Sequence, residues 1–158
     1  MKILIIGSKV RIIHLKHFSD ELEKLGMECK VILDMDFLEK SLSFNLKKRI
    51  STNKKLKVLL NTFEPNIVLL DNVSRLATTI LDEKIPLFLL FRGNYWKELE
   101  WAKKTIYKPP LKFFSVLKNQ KMADRIFKES FMILPISEYL KNEVEIRYPE
   151  NKIKVLHA

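Results

Sequence analysis

The stretch "FMILPISEYLKNEVEIRYPENKIKVLH", residues 131–157, reads as one complete strand–helix–strand unit. Its apolar ends, "FMILPIS" (131–137) and "KIKVLH" (152–157), are short and rich in Ile, Leu and Val. Between them a helical pattern runs through Val144. Ser137 is placed to cap that helix, and Glu138 and Glu143 suit its dipole. The same rhythm extends back through the chain. "KILIIG" (2–7), "CKVILD" (29–34), "NIVLLD" (66–71) and "IPLFLLF" (85–91) are further apolar runs of strand length. Continuous apolar runs of this kind belong to strands buried on both faces, the signature of parallel sheets. Helical patterns separate them. Phe18, Leu22 and Leu25 are spaced by four and three, with Gly26 placed to stop the helix. Leu56, Leu59, Leu60 and Phe63 form a second apolar face that ends before Pro65. The alternation predicts an α/β fold, a Rossmann-like doubly wound parallel sheet of about six strands with right-handed crossovers.

Composition bounds this reading. With 158 residues, 47% hydrophobic and 30% charged, the chain matches one globular domain spanning 1–158. Cys29 is the single cysteine, so neither an intrachain disulfide nor a cysteine metal cluster can form. No apolar run reaches the roughly 18 residues of a membrane span, and "MKILIIG" lacks the cleavage site of a signal peptide. A cytoplasmic protein, soluble or peripheral on the inner face of the cell membrane, is the expectation. The net charge of +10 is local. Lys47, Lys48, Arg49, Lys54, Lys55 and Lys57 fall within residues 45–57 without an acid, and residues 95–128 hold nine basic side chains against Glu98, Glu100 and Asp124. Such patches suit an anionic partner such as phosphate, nucleic acid or an acidic membrane; ordinary solubility is the other reading.

Residues 95–128 break the rhythm. Pro109–Pro110 divides two helical stretches, and the second puts Phe113, Val116, Leu117, Ala123 and Phe127 near one face. Trp96, Trp101, Phe113 and Phe114 lie among Lys103, Lys104 and Lys108. Aromatic rings with lysine stems fit a membrane interface. They fit equally a core that covers one side of the sheet.

Several chemistries lack their residues. The loop after the first strand, "GSKVRIIH", has one glycine, which argues against the dinucleotide and P-loop phosphate cradles. A receiver domain would need acids there. His14 and His17 are spaced by three, with no third metal ligand in view, and no G-x-S-x-G is present. The place where a ligand belongs can still be named. Open parallel sheets bind ligands beyond the carboxyl ends of their strands, where strand order reverses. A 3-2-1-4-5-6 order puts that point between the first and fourth strands. It would gather Ser8, Lys9, Arg11 and His14, then Arg92, Gly93 and Asn94, then Ser137 and Glu138. Cations and a helix N-terminus suit a phosphate or a cluster of sugar hydroxyls.

The ordered motifs resemble those of family 4 glycosyltransferases. "HLKHFSDELEKLGMEC" (14–29) leads from His14 to Phe18, Leu22 and Gly26 as the family's first helix does. "LLNTFEPNIVLLDN" (59–72) is similar to its helix, Pro-Asp and third strand, with Asn66 in place of Asp. "LLFRGNYW" (89–96) resembles the loop after the fourth strand, and residues 131–158 resemble the following strand, serine and helix. The resemblance implies the acceptor-binding lobe of a two-lobed GT-B enzyme that transfers a sugar from a nucleotide sugar, with retention, to a glycan or lipid-linked acceptor. The nucleotide sugar is a co-substrate held mainly by a C-terminal lobe, in cis or on another chain; no cofactor or metal is implied. No two glutamates have the E-x7-E spacing of that lobe, so the isolated chain is expected to be inactive. His14 and Arg92 are the implied catalytic residues. Ser8, Lys9, Arg11, Gly93, Asn94, Ser137 and Glu138 are the substrate contacts. The family's glycine-rich first loop is here Gly7 alone, and Arg92 stands where many members have histidine. A non-enzymatic flavodoxin-like binding module and a basic nucleic-acid-binding domain are the alternatives; the resemblance itself implies no nucleic acid partner.

Overall fold

A computed structural model describes residues 1–37, 46–105 and 111–156, without the side chains of 46–53 and 111–115. The elements alternate in chain order. β1 (Lys2–Gly7) leads through α1 (Ile12–Lys24) to β2 (Glu28–Leu33), and a single 3-10 turn (Asp34–Asp36) follows. α2 (Leu46–Phe63), β3 (Ile67–Asp71), α3 (Leu76–Asp82) and β4 (Leu87–Phe91) come next. α4 (Tyr95–Thr105), α5 (Leu111–Glu129), β5 (Met132–Pro135) and α6 (Glu138–Arg147) complete the series. All five strands are parallel, in the order β2-β1-β3-β4-β5. The fold is thus a Rossmann-like α/β lobe, but its order corrects the 3-2-1-4-5-6 expectation. β3 lies beside β1, and the reversal point falls between those two strands.

Among the described residues the sheet has five strands rather than six. Residues 152–156 run beside β5, where Ile133 N–H donates to Lys152 O (2.9 Å), Lys154 N–H to Ile133 O (3.1 Å) and Leu156 N–H to Pro135 O (2.9 Å). The pairing amounts to one bridge, Ile133 with Ile153. The missing bond is the one Pro135 would donate to Lys154 O, because proline has no N–H.

Crossover handedness distributes the helices. Only the β1-to-β2 step moves one way across the sheet; each later step moves the other way. Right-handed crossovers therefore put α1 on one face and the remaining helices on the opposite face. On that helix-rich face, Leu4, Ile6, Val68, Leu70, Leu87 and Leu89 pack with Leu56 and Leu60 of α2, Leu76 and Ile80 of α3, and Ile126 and Phe127 of α5. Leu140 and Val144 of α6 join them. On the α1 face the cluster is small, comprising Ile3, Ile5, Leu69 and Leu90 with Leu15. α1 turns Leu15 and Ser19 inward, whereas Phe18 and Leu25, expected on its core face, are 36% and 73% exposed.

The aromatic segment divides. Trp96, expected at a membrane surface, is packed against the core. It stacks on Phe127 at 5.0 Å, and the Arg147 guanidinium covers it at 4.3 Å. Tyr148 stacks on Phe127 in turn and donates its hydroxyl to Asp124 Oδ1 at 2.6 Å. Burial, and then that carboxylate, push its pKa up. Trp101 is 61% exposed, as is much of Lys104, while Lys103 is half-buried beside Gln120. Lys108 lies outside the described residues, as do the side chains of Phe113, Phe114, Lys47, Lys48 and Arg49. On α5, Val116, Ala123 and Phe127 are buried as expected, and Leu117 is exposed. Among the described residues no helix is long and apolar enough to cross a membrane.

Two helix ends show how local conformation is set. After α1, Met27 N–H bonds to Leu22 O and Gly26 N–H to Glu23 O, with Gly26 at φ +82°. After α3 the same pair of bonds forms around Lys84 at φ +56°, from Ile85 to Ile80 and from Lys84 to Leu81. A side chain in this left-handed region costs roughly 1–2 kcal/mol. Lys84→Gly should therefore stabilise the protein by about 0.5–1 kcal/mol, and Gly26→Ala should destabilise it by about 1 kcal/mol, read from urea midpoints at constant slope.

Candidate functional site at the β1–β3 edge

The carboxyl end of β1 is glycine for a steric reason. A Cβ on Gly7 would collide with Leu15 Cδ1 of α1 and stand 3.4 Å from Asp71 Cβ. Gly7 thus lets α1 approach the sheet and brings the β1 and β3 ends together. β3 closes with Asp71, whose side chain is wholly buried (0% exposed). Asn72 follows at φ +74°, a conformation asparagine tolerates better than most residues, and turns the chain out of the sheet.

Arg92, the first residue after β4, meets Asp71. Its Nε donates to Asp71 Oδ1 at 2.9 Å, and its side chain is 13% exposed. The contact uses one oxygen and one nitrogen. Asp71 Oδ2 is buried with no hydrogen-bond partner among the described residues. An acceptor oxygen thus sits beside a guanidinium whose bond to Asp71 uses Nε alone. This is a pairing that a hydroxyl group, both donor and acceptor, would complement. Sequence reasoning placed Arg92 here as a free cation; the fold neutralises it with Asp71, which that reasoning missed. The available signal was an acid closing an otherwise apolar strand, in "NIVLLD".

The other candidates take three positions along the edge. Ser8, Lys9, Arg11 and His14 all follow β1. Arg11 N–H bonds to Ser8 O (3.0 Å) in the turn that starts α1; Lys9 and His14 are exposed, and Ser8 and Arg11 are half-buried. β3 intervenes between this turn and the loop after β4, so Asp71 occupies the place where the expected order would have set these two loops side by side. Past Arg92 and Gly93, Asn94 caps α4. Its Oδ1 accepts from Lys97 N–H (3.1 Å) and its Nδ2 donates to the Tyr139 hydroxyl (2.6 Å). Ser137 caps α6, accepting from Leu140 N–H at 3.3 Å, as its position in the sequence predicts. Glu138 is exposed and paired with Lys141. The hydrogen bond to Tyr139 raises the Lys97 pKa, and its ammonium lies 5.3 Å from the Tyr139 ring centre. Asn94, Lys97 and Tyr139 therefore tie the first turns of α4 and α6 into one rim. Among the described residues no three His, Cys, Asp or Glu side chains gather in a way that could hold a metal ion.

No protein-family model and no curated protein matches the sequence. Solved structures do match in fold. UDP-GlcNAc 2-epimerase from Methanocaldococcus jannaschii superimposes with a TM-score of 0.65 at 18% identity, covering 98% of this chain and 45% of that one. UDP-GlcNAc 2-epimerase from Neisseria meningitidis, bound to UDP-GlcNAc, gives 0.65 at 17% identity with the same coverages. The chain spans less than half the length of these neighbours. At such identity the likeness establishes the fold, a GT-B-like Rossmann-type lobe.

The ion pair makes a stability forecast that reverses the one a free arginine would make. Removing one partner of a buried pair leaves an uncompensated charge, at a cost of about 3–5 kcal/mol. Arg92→Ala should lower the unfolding free energy by that amount in urea titrations, whereas His14→Ala, at an exposed position, should change it by less than about 0.5 kcal/mol.

Proposed function

We propose that this chain is the acceptor-binding lobe of a retaining glycosyltransferase, acting with a donor-binding lobe supplied in cis or by another chain. The observation that carries the reading is the half-satisfied Asp71–Arg92 pair at the reversal point of a GT-B-like sheet. Asp71 Oδ2 would accept from a sugar hydroxyl, and Arg92 would donate to a hydroxyl or phosphate oxygen of the same ligand. Arg11 and His14, in the turn and helix after β1, would line the approach, with Ser8, Lys9 and Gly93 as close neighbours in sequence. Sugar transfer with retention passes through an oxocarbenium-like state. This lobe's contribution would be to hold the acceptor hydroxyl in line and the site's charges in place. The nucleotide sugar is a co-substrate of the partner lobe. The identity of the structural neighbours favours a second reading, sugar-nucleotide epimerisation on the same lobe architecture.

The acceptor would be lipid-linked and met at an anionic membrane surface, the inner face of the cell membrane. On α4, Lys97, Trp101 and Lys104 recur at spacings of four and three on one exposed stripe, and Leu117, Lys118 and Lys121 of α5 are exposed nearby in the chain. Each basic group near such a leaflet contributes about 1 kcal/mol. Trp101 supplies the interfacial ring that Trp96, in the core, does not.

Two experiments test this. With radiolabelled nucleotide sugars the chain alone should show no turnover, and saturation-transfer NMR should detect oligosaccharide binding that Asp71→Asn abolishes while the protein stays folded. Turnover by the lone chain overturns the single-lobe reading; epimerised nucleotide sugar without glycoside, from the chain joined to its donor lobe, selects the second reading. In vesicle sedimentation, anionic lipid should retain the chain at low salt. Retention should fade with salt and fall several-fold on changing Lys103, Lys104 and Lys108 to Glu. No retention would make the acceptor a soluble glycan.

A further inference from the structure

The Tyr139 hydroxyl has its direction fixed by the groups that bond to it. Asn94 Oδ1 accepts from Lys97 N–H (3.1 Å), so the other side of that amide, Nδ2, meets Tyr139 Oη at 2.6 Å. An amide nitrogen only donates. The Lys97 ammonium, also a donor alone, bonds to the same oxygen. Tyr139 Oη is thus the acceptor in both contacts, and its own O–H points away from them. Among the described residues no acceptor meets that O–H, and Tyr139 is 48% exposed. The fold therefore holds a phenolic donor aimed outward at the carboxyl edge.

An acceptor stands close by. A Cβ on Gly93 would come within 2.6 Å of Glu98 Oε1, so the Glu98 carboxylate folds back over the loop between Arg92 and Asn94. Glu98 is exposed and has no cation paired with it among the described residues. The Lys97 ammonium lies over the Tyr139 ring, 5.3 Å from its centre. An outward hydroxyl, an ammonium, a carboxylate and a half-exposed ring thus share one rim. That mixture suits a sugar unit, whose hydroxyls both donate and accept and whose C–H face lies on apolar surface; the carboxylate disfavours a phosphate. Ile136 N–H donates to Phe91 O (3.1 Å), holding the exit of β5 against that of β4. The edge runs from Asp71 at the end of β3, past Arg92 after β4, to Tyr139 in the first turn of α6 after β5. Two strand spacings of roughly 4.8 Å separate β3 from β5, close to the length of two linked pyranose rings.

We propose that this rim is a second saccharide subsite, so that the acceptor is at least a disaccharide, with one unit on the Asp71–Arg92 pair and the next at the Tyr139 hydroxyl. This extends the acceptor-binding role, on which it rests, to the size of the ligand.

Saturation-transfer NMR on the intact chain tests it, with the methyl glycosides of glucose, galactose, mannose and N-acetylglucosamine and the homodisaccharide of each. For the sugar that binds, the disaccharide should bind at least about fivefold tighter than the methyl glycoside, the worth of one added hydrogen bond. Tyr139→Phe removes the donor and should abolish that advantage. Asn94→Asp separates this from a structural role. Aspartate keeps the α4 cap and, as an acceptor, turns the Tyr139 O–H inward, so the melting temperature should hold while the disaccharide advantage is lost. A structural tie alone would leave the advantage intact. Equal affinities in the unaltered chain, or an advantage that survives either substitution, overturns the proposal and leaves the acceptor-binding reading standing. Binding by none of these saccharides overturns both.

Discussion

A parallel strand in the middle of a sheet must be hydrogen-bonded along both edges, and β1 meets that demand with β2 on one side and β3 on the other. Everything at the candidate site descends from this arrangement. The chain leaves β1 in one direction and returns past it in the other, so the loops that follow β1 and β3 diverge at the carboxyl edge of the sheet. Gly7 allows α1 to close on the end of β1, and Asp71 ends the neighbouring strand beside it. Arg92 then reaches back from β4 because a buried carboxylate needs a charged partner. The pair is the electrostatic price of ending an apolar strand with an acid. Its one-sided geometry leaves a buried oxygen with no hydrogen-bond partner among the described residues.

The rest of the edge is held by helix capping. Asn94 and Ser137 satisfy the first N–H groups of α4 and α6, and the Asn94–Tyr139 bond joins the two helix starts. Side chains that look like free polar groups in a loop thus keep the rim in shape. Around the reversal point, Asp71 is buried and Arg92 half-buried against it, while Lys9 and His14 stand out in solvent.

Handedness imposes an imbalance on the sandwich. Among the described residues, one crossover step against all the others leaves α1 alone on its face, and there Phe88 of β4 and Leu134 of β5 are only half-covered. On the opposite face the aromatic column of Trp96, Phe127 and Tyr148, closed by Arg147, seals the far end of the core.

The apolar runs, their spacing and the turn residues were enough to specify the α/β class, five of the strands, the Ser137 cap and the stop at Gly26, because those depend on local periodicity and backbone preference. The loops that form the carboxyl edge were legible too, since parallel strands must all end there. Strand order was not, because the ladder partner of β1 is chosen by long-range packing that no local pattern encodes. Asp71 went unread for the same reason, as a terminal acid acquires meaning only when Gly7 and Arg92 arrive beside it. Trp96 and Trp101, five residues apart, look alike in sequence, and the α4–α5 crossing sends one ring into the core and leaves the other in solvent. Even the sixth run failed as a strand through a contact, the N–H that Pro135 lacks being needed only once residues 152–156 lie alongside it. Sequence determined which elements form; tertiary structure decided which neighbours they keep, and so which polar groups are buried and paired and which face solvent.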